Sequence, residues 1–380
     1  MKTMKTMKNN PIVKVYARIK KYSVIMFTLV IISIIFGNAV KAQDNVPAHR
    51  VQEYIHWYPA IKQIEMRDTW AENHKPGEWQ ITGMVTAKDK TVITPQADVN
   101  YAYSWFNISE EPVVINMPEY HLYYSVSIFD MNHFSQVVIA PKKAVVIRLP
   151  HQKSPIEDAH EIVLATNQGL AFARQVVVNN EAEVIELSKN ITIDGKQGDK
   201  PFIVPEFTDE VKDAGDKIIQ EYAMKVQNAR KLFGSTYDGV GDLDRAAGVF
   251  LGQLGTEAYV VDYAQYVKDQ NGEILNGQDS YEIVVPMTSL MKNDTGYWSL
   301  TLYNMEDRYL IENPQNKYVV SSYNAVADED GIIRLRINPT GEGVNGIPTN
   351  GNTFYGVFRV YEPEMGVEFP EINKVENKSK

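Results

Sequence analysis

The chain has 380 residues, 44% hydrophobic and 23% charged, a balance that excludes wholesale disorder and a collagen-like repeat. It holds no cysteine, which excludes disulfides, thiolate metal sites, cysteine nucleophiles and a lipid-bearing N-terminal cysteine. A formal net charge of -10 argues against nucleic acid as a partner, and the length suits two domains better than one.

Lys2, Lys5, Lys8, Lys14, Arg18, Lys20 and Lys21 precede the first acidic residue, Asp44. The apolar run Val24–Phe36 follows, and then the small-residue stretch Gly37-Asn38-Ala39-Val40-Lys41-Ala42. This order reads as a secretory signal over residues 1–42. Its core of 13 residues is short of the ~20 that span a bilayer. The expectation is an exported chain, periplasmic or secreted, with no membrane span after cleavage. Taking the leader's eight basic residues from the 38 leaves 30 against 48 acidic ones, a mature charge of -18.

Val51, Tyr54, Ile55 and Tyr58, then Ile61, Ile64 and Trp70, carry a helical period, and Pro59 predicts one helix ending and another starting there. From about Thr91 the period becomes two. Strands are expected over Tyr101–Phe106, Val113–Ile115, His121–Asp130, Val137–Ala140, Ala144–Leu149, Glu161–Ala165 and Ala173–Val178. Thr208–Leu232 predicts a long helix, with Val211, Ala214, Ile218, Tyr222 and Val226 on one stripe. A shorter helix follows over Leu243–Leu251. Strands then resume, punctuated by the turns Asp269-Gln270-Asn271-Gly272 and Asp328-Glu329-Asp330-Gly331. Gly331–Asn338 and Thr353–Tyr361 both alternate. Beyond Pro363 the period is lost and the chain is expected to fray.

An internal echo joins the halves. Tyr123-Tyr124-Ser125-Val126-Ser127-Ile128-Phe129-Asp130-Met131 matches Tyr297-Trp298-Ser299-Leu300-Thr301-Leu302-Tyr303-Asn304-Met305, identical or chemically close at every position. The predicted fold is mainly β with helical additions: two tandem antiparallel β-sandwich, jelly-roll-like domains joined by a long α-helix. The boundaries are residues 43–203 for the helical lead-in and first sandwich and 204–240 for the linking helix. The second sandwich is placed at 241–364 and a flexible tail at 365–380.

The stretch Thr94-Pro95-Gln96-Ala97-Asp98-Val99-Asn100-Tyr101-Ala102-Tyr103, with Pro112-Val113-Val114 and Tyr123-Tyr124-Ser125-Val126, resembles the domain-of-unknown-function 1254 family. Tyr297–Tyr303, Asn313-Pro314, Asp330-Gly331 and Arg359-Val360-Tyr361 with Pro363 resemble its usual companion, domain of unknown function 1214. The resemblance covers about Val51 to Pro363. Gln96 departs from the family's usual Asn, Val99-Asn100 from its Thr-x pair, and Gly346-Ile347 from its Trp-Leu. What the resemblance implies is a β-sandwich protein of a kind often exported by bacteria, without an agreed activity.

Signatures of hydrolase elbows, zinc helices, phosphate loops and dinucleotide folds are missing from the sequence. The seven histidines show no paired ligand spacing, and no metal or cofactor is predicted. Asp328-Glu329-Asp330-Gly331 is a hairpin turn rather than a calcium loop, because Val326 and Ile337 stand where ligands are needed. His133, after the Tyr-Tyr-Ser strand, is the favoured titrating group. Asp98, Tyr101 and Tyr103 form the most suggestive set, a carboxylate in a turn leading to two phenols on one strand face. The bland reading has Asp98 capping its own turn and the tyrosines packed in the core. Trp298 and Tyr303 lie on opposite faces, so one of them at most lines a given pocket. Arg359, between apolar neighbours, suits a ligand carboxylate if it points into a cleft.

Three functions follow. The first is an exported envelope protein binding a saccharide or small ligand through Asp98, Tyr101, Tyr103, Trp298 and Arg359. The second is a hydrolase or lyase using Asp98 with Tyr101 and His133 for proton transfer. The third is a scaffold, since jelly rolls build symmetric homo-oligomers.

Overall fold

A computed structural model describes residues 46–72, 74–90, 92–226, 229–236, 239–286 and 290–375. The leader expected over residues 1–42 lies outside them. Among the described residues the chain forms 17 strands and four α-helices, with the strands in four open sheets.

The first nine strands are β1 (Gln80–Met84), β2 (Val99–Asn107), β3 (Val113–Asn116), β4 (Tyr124–Asp130), β5 (Ser135–Ile139), β6 (Val145–Arg148), β7 (His160–Val163), β8 (Gln168–Val176) and β9 (Thr192–Asp194). They build a sheet of order β1-β2-β8-β4-β5 and another of order β7-β6-β3-β9. Period-two alternation sends Ala102, Phe106, Val126, Ile128, Ala171 and Ala173 from the first sheet against Val113, Ile115, Val145, Ile147 and Ile162 from the second. That is a sandwich.

The second half repeats it. β10 (Val261–Tyr266), β11 (Ser280–Val285), β12 (Trp298–Asn304), β13 (Val319–Ser321), β14 (Ile333–Asn338), β15 (Gly346–Pro348), β16 (Phe354–Tyr361) and β17 (Ile372–Val375) form sheets of order β10-β16-β12-β13 and β15-β14-β11-β17. Adding eight to each strand number of the first half reproduces these orders strand for strand, with β1 as the one extra. The second core sets Trp298, Leu300, Leu302, Phe354, Phe358 and Val360 against Tyr281, Ile283, Leu335, Ile337 and Ile347. The echo between Tyr123–Met131 and Tyr297–Met305 is therefore the local trace of a repeated eight-strand unit.

Several expectations need correction. The sheets are mixed rather than purely antiparallel: β6 and β7 pair in parallel, and so do their counterparts β14 and β15. Helix α1 (Ala48–Trp70) runs unbroken through Pro59. Tyr58, Pro59 and Ala60 are all buried, and that burial offsets the roughly 3 kcal/mol that an interior proline costs. After α2 (Glu181–Ser188), helix α3 (Asp209–Ala223) stops well before Leu232. The chain leaves helical register and re-forms a single 3-10 turn over Ala229–Lys231, where Arg230 pairs at 2.6 Å with the nearly buried Asp262. Helix α4 (Asp242–Leu251) falls where expected. Within the tail expected to fray, β17 pairs with β11, because Ile372 fills the second core. Both glycine turns are present, with Gly272 at φ 82 and Gly331 at φ 81.

By internal contacts the chain divides into a small unit, whose described part is residues 46–55 with Glu206–Glu221, and a large unit holding both sandwiches. In the small unit Tyr54 packs edge-on to Phe207 at 5.3 Å and donates a 2.8 Å hydrogen bond to Asp216 Oδ1. Gly215 of α3 lies against that ring, where an added Cβ would stand 2.3 Å from Tyr54 Cδ1. Glycine to alanine inside a helix ordinarily stabilises by about 1 kcal/mol. Here Gly215→Ala is expected to destabilise by about 1–3 kcal/mol, because the hydrogen bond and Phe207 hold the ring against retreat. Thermal unfolding checks the sign.

Candidate functional site

In each half, one sheet turns its non-core face toward the same buried layer, and the two faces carry matching side chains. Tyr101 of β2 stands opposite Arg174 of β8, which stands opposite Ser125 of β4. In the second half Tyr263 of β10 stands opposite Arg359 of β16, and Arg359 opposite Ser299 of β12. Val99-Asn100-Tyr101 is answered by Val261-Asp262-Tyr263, a second local echo. The faces meet through tyrosines. Tyr123 lies 5.4 Å from Tyr297 and 4.9 Å from Tyr361, while Tyr297 and Tyr361 stack at 4.6 Å.

The Thr94–Asp98 segment of the first half is threaded into this layer. Thr94, at φ 55, donates its N–H to the Arg308 carbonyl at 2.9 Å. The Pro95 carbonyl accepts from the Tyr303 hydroxyl at 2.6 Å, and the Thr94 carbonyl accepts from Arg359 Nη2 at 3.2 Å. Gln96 is bound on both ends of its carboxamide: Nε2 donates to the Tyr297 hydroxyl, and Oε1 accepts from the Tyr361 hydroxyl. Its backbone N–H donates to the Tyr101 hydroxyl at 3.1 Å.

Asp98 ends the segment with its side chain buried and neither carboxylate oxygen in a hydrogen bond of acceptable geometry. It does not cap its own turn; its backbone carbonyl instead accepts from Val177 N–H at 2.9 Å. Burial pushes its carboxyl up to about 6, against the pull of the Gln96 amide and the Arg359 guanidinium. Arg359 is 5% exposed; its Nη2 also donates to the Tyr303 hydroxyl at 3.0 Å, and its Nη1 has no partner. Beside Asp98 a half-open cleft of about 410 Å³ is lined by Met84, Ala97, Asp98, Val178, Glu181 and Val319, among others, and Arg359 lies behind Asp98 outside that lining. Such a volume lies in the range of small-molecule sites. Burial also raises the phenols, Tyr101 to about 12, so they serve as neutral hydrogen-bonding groups. Among the described residues no three histidine, aspartate or glutamate side chains converge as a metal-binding group.

Of the residues singled out from sequence, Asp98, Tyr101 and Arg359 come together here. Tyr103 shares the strand face of Tyr101 but packs on Trp70, ring centres 4.7 Å apart. Trp298 does not join: it stacks on Phe358 at 5.5 Å inside the second core, and its neighbour Tyr297 faces the layer instead. His133 is not a titrating group near neutrality. It is buried at φ 65, its Nε2 accepts from Leu254 N–H at 2.9 Å, and burial pushes it down to about 3. Gln96, Arg174, Tyr263, Tyr297 and Tyr361 were missed as site residues. The paired Val-x-Tyr and apolar-Arg segments, Phe172-Ala173-Arg174 with Val357-Phe358-Arg359, were the signal available for them.

Residues 79–194 match the family model described as a protein of unknown function, DUF1254, and residues 261–365 match another described likewise, DUF1214. No curated protein matches the sequence. Among solved structures the chain is similar to a protein from Vibrio parahaemolyticus, with a TM-score of 0.69 and 17% identity over 86% of this chain and 99% of that one. It is also similar to an uncharacterized protein from Burkholderia cenocepacia, with a TM-score of 0.50 and 10% identity over 90% of this chain and 93% of that one. At these identities the likeness is one of fold.

Proposed function

We propose, from the premise that this chain belongs to the two-domain family in which a DUF1254 module precedes a DUF1214 module, that it is an exported envelope protein binding a saccharide or similar small polar ligand beside Asp98. One observation carries the reading. Asp98 and Arg359 hold opposite charges in a buried layer, yet both Asp98 oxygens and Arg359 Nη1 lack a well-formed hydrogen bond, next to a cleft that Asp98 itself lines. Buried polar atoms are ordinarily satisfied, and each left bare costs about 1–3 kcal/mol. A ligand supplying hydroxyls and an acceptor would recover that cost. Support for export comes from the composition of residues 1–42.

The test is calorimetric titration of the purified chain with a saccharide panel, followed by Asp98→Asn. The variant is expected to lose about tenfold or more in affinity while melting no lower than the parent. Unchanged affinity would remove the site.

The raised carboxyl favours a second reading, a hydrolase or lyase in which Asp98 exchanges a proton near neutral pH and Tyr101 donates a hydrogen bond. His133 has no part in that chemistry, being held neutral by burial. Turnover that survives Asp98→Asn would exclude this version.

A further inference from the structure

We infer that the ligand is a small hydroxy-carboxylate of the acidic-sugar type, its acid group received by Arg359 with Ser299 and its hydroxyls by Asp98. This rests on the binding reading above and narrows it to one chemical class.

The charge of the layer carries the argument. Arg174 and Arg359 occupy equivalent places in the two repeats, and neither makes an ion pair among the described residues. Apart from Asp98, the carboxylates that flank the layer are committed elsewhere: Asp262 to Arg230, and Glu362 to Asn293 and Thr295. Arg174 is supplied with neutral acceptors, the Ser127 hydroxyl at 2.7 Å and the Leu254 carbonyl at 2.9 Å, and lies over the Phe172 ring. Arg359 is the more deeply buried of the two and is left with a bare Nη1. Directly across the strand pair, the fully buried Ser299 hydroxyl is bare as well. At paired register positions on one sheet face, a guanidinium N–H and a hydroxyl offer two donors to a carboxylate.

Asp98 dictates the rest of the molecule. Its oxygens accept, so the ligand must bring donors, and hydroxyls are donors that add no charge. A simple carboxylate such as acetate brings no hydroxyl and would leave the Asp98 oxygens bare, and phosphate offers no carbon frame to span from Arg359 to Asp98. A neutral sugar would satisfy Asp98 and leave Arg359 Nη1 and the Ser299 hydroxyl without acceptors. Reaching Arg359 requires the Thr94–Asp98 segment to lift, since the Thr94 carbonyl now holds its Nη2.

The experiment is isothermal titration of the purified chain with galacturonate, galactose, acetate and inorganic phosphate at neutral pH. Galacturonate is expected to bind about tenfold or more tighter than galactose, with acetate and phosphate weaker still. Arg359→Gln should abolish the preference for the acid. Because removing a buried arginine endangers folding, Ser299→Ala is run beside it, with circular dichroism melts. It should cut galacturonate affinity severalfold and leave galactose untouched. Equal affinity for galactose and galacturonate overturns the acidic-ligand inference and leaves the saccharide site standing. Acetate or phosphate matching galacturonate overturns the hydroxyl half. If neither sugar binds, the site reading falls together with the inference.

Discussion

Gln96→Ala is expected to destabilise the large unit by about 2–4 kcal/mol, although it deletes a polar side chain from a mostly aromatic layer. The Gln96 carboxamide donates to one buried phenol and accepts from another, and Tyr297 and Tyr361 are 0% and 4% exposed. Its removal leaves two buried hydroxyls in low dielectric without their partner. The triple replacement Gln96→Leu, Tyr297→Phe, Tyr361→Phe removes all three polar groups and should cost far less than the single change. Guanidinium unfolding of both variants decides the matter. A triple variant as unstable as Gln96→Ala would mean that packing of the segment, rather than unpaired hydroxyls, sets the loss.

The same residue shows how far the sequence could be read. Strands such as β4 and β12, with an apolar face set against a polar and aromatic one, announce themselves by period two, and the match between them exposes the repeat in the sequence. Gln96 appeared only as a departure from a family pattern, because its partners lie 201 and 265 residues away. Trp298 and Tyr297 differ by one position and so face opposite ways. Local alternation separates the two faces but cannot say which one meets another sheet. Pro59 and the end of α3 depart from the sequence expectation for a related reason: intrinsic helix preference is outweighed by burial around Pro59 and by the pairing of Arg230 with Asp262. Arg359 was legible as an arginine among apolar neighbours, yet only its register opposite Ser299 and Tyr263 shows what it serves.

Replacing Asp98 by Asn should change the pH dependence of stability more than its mean. Burial raises the Asp98 carboxyl to about 6 in the folded chain, above its ordinary value of 3.8. Between those values the folded state therefore holds the proton that the unfolded state has released. Stability from this group is full below about pH 4 and is lost as pH rises through about 6, a change of about 3 kcal/mol. Asp130 acts with the same sign, because burial raises it to about 6 despite N–H bonds from Phe134 and Asn132. His133 opposes both. Pushed down to about 3 by burial, it favours folding above its ordinary 6.5, and that contribution is lost as pH falls toward 3. The parent's profile is thus a partial cancellation, and the informative quantity is the difference between parent and variant. Relative to the parent, Asp98→Asn is expected to gain about 2 kcal/mol on going from pH 4 to pH 7, on top of any constant cost of the buried amide. Denaturant unfolding across that range reads it directly. Parallel curves would mean that the Asp98 carboxyl is hydrated in solution, and the layer that buries it would then be open to water.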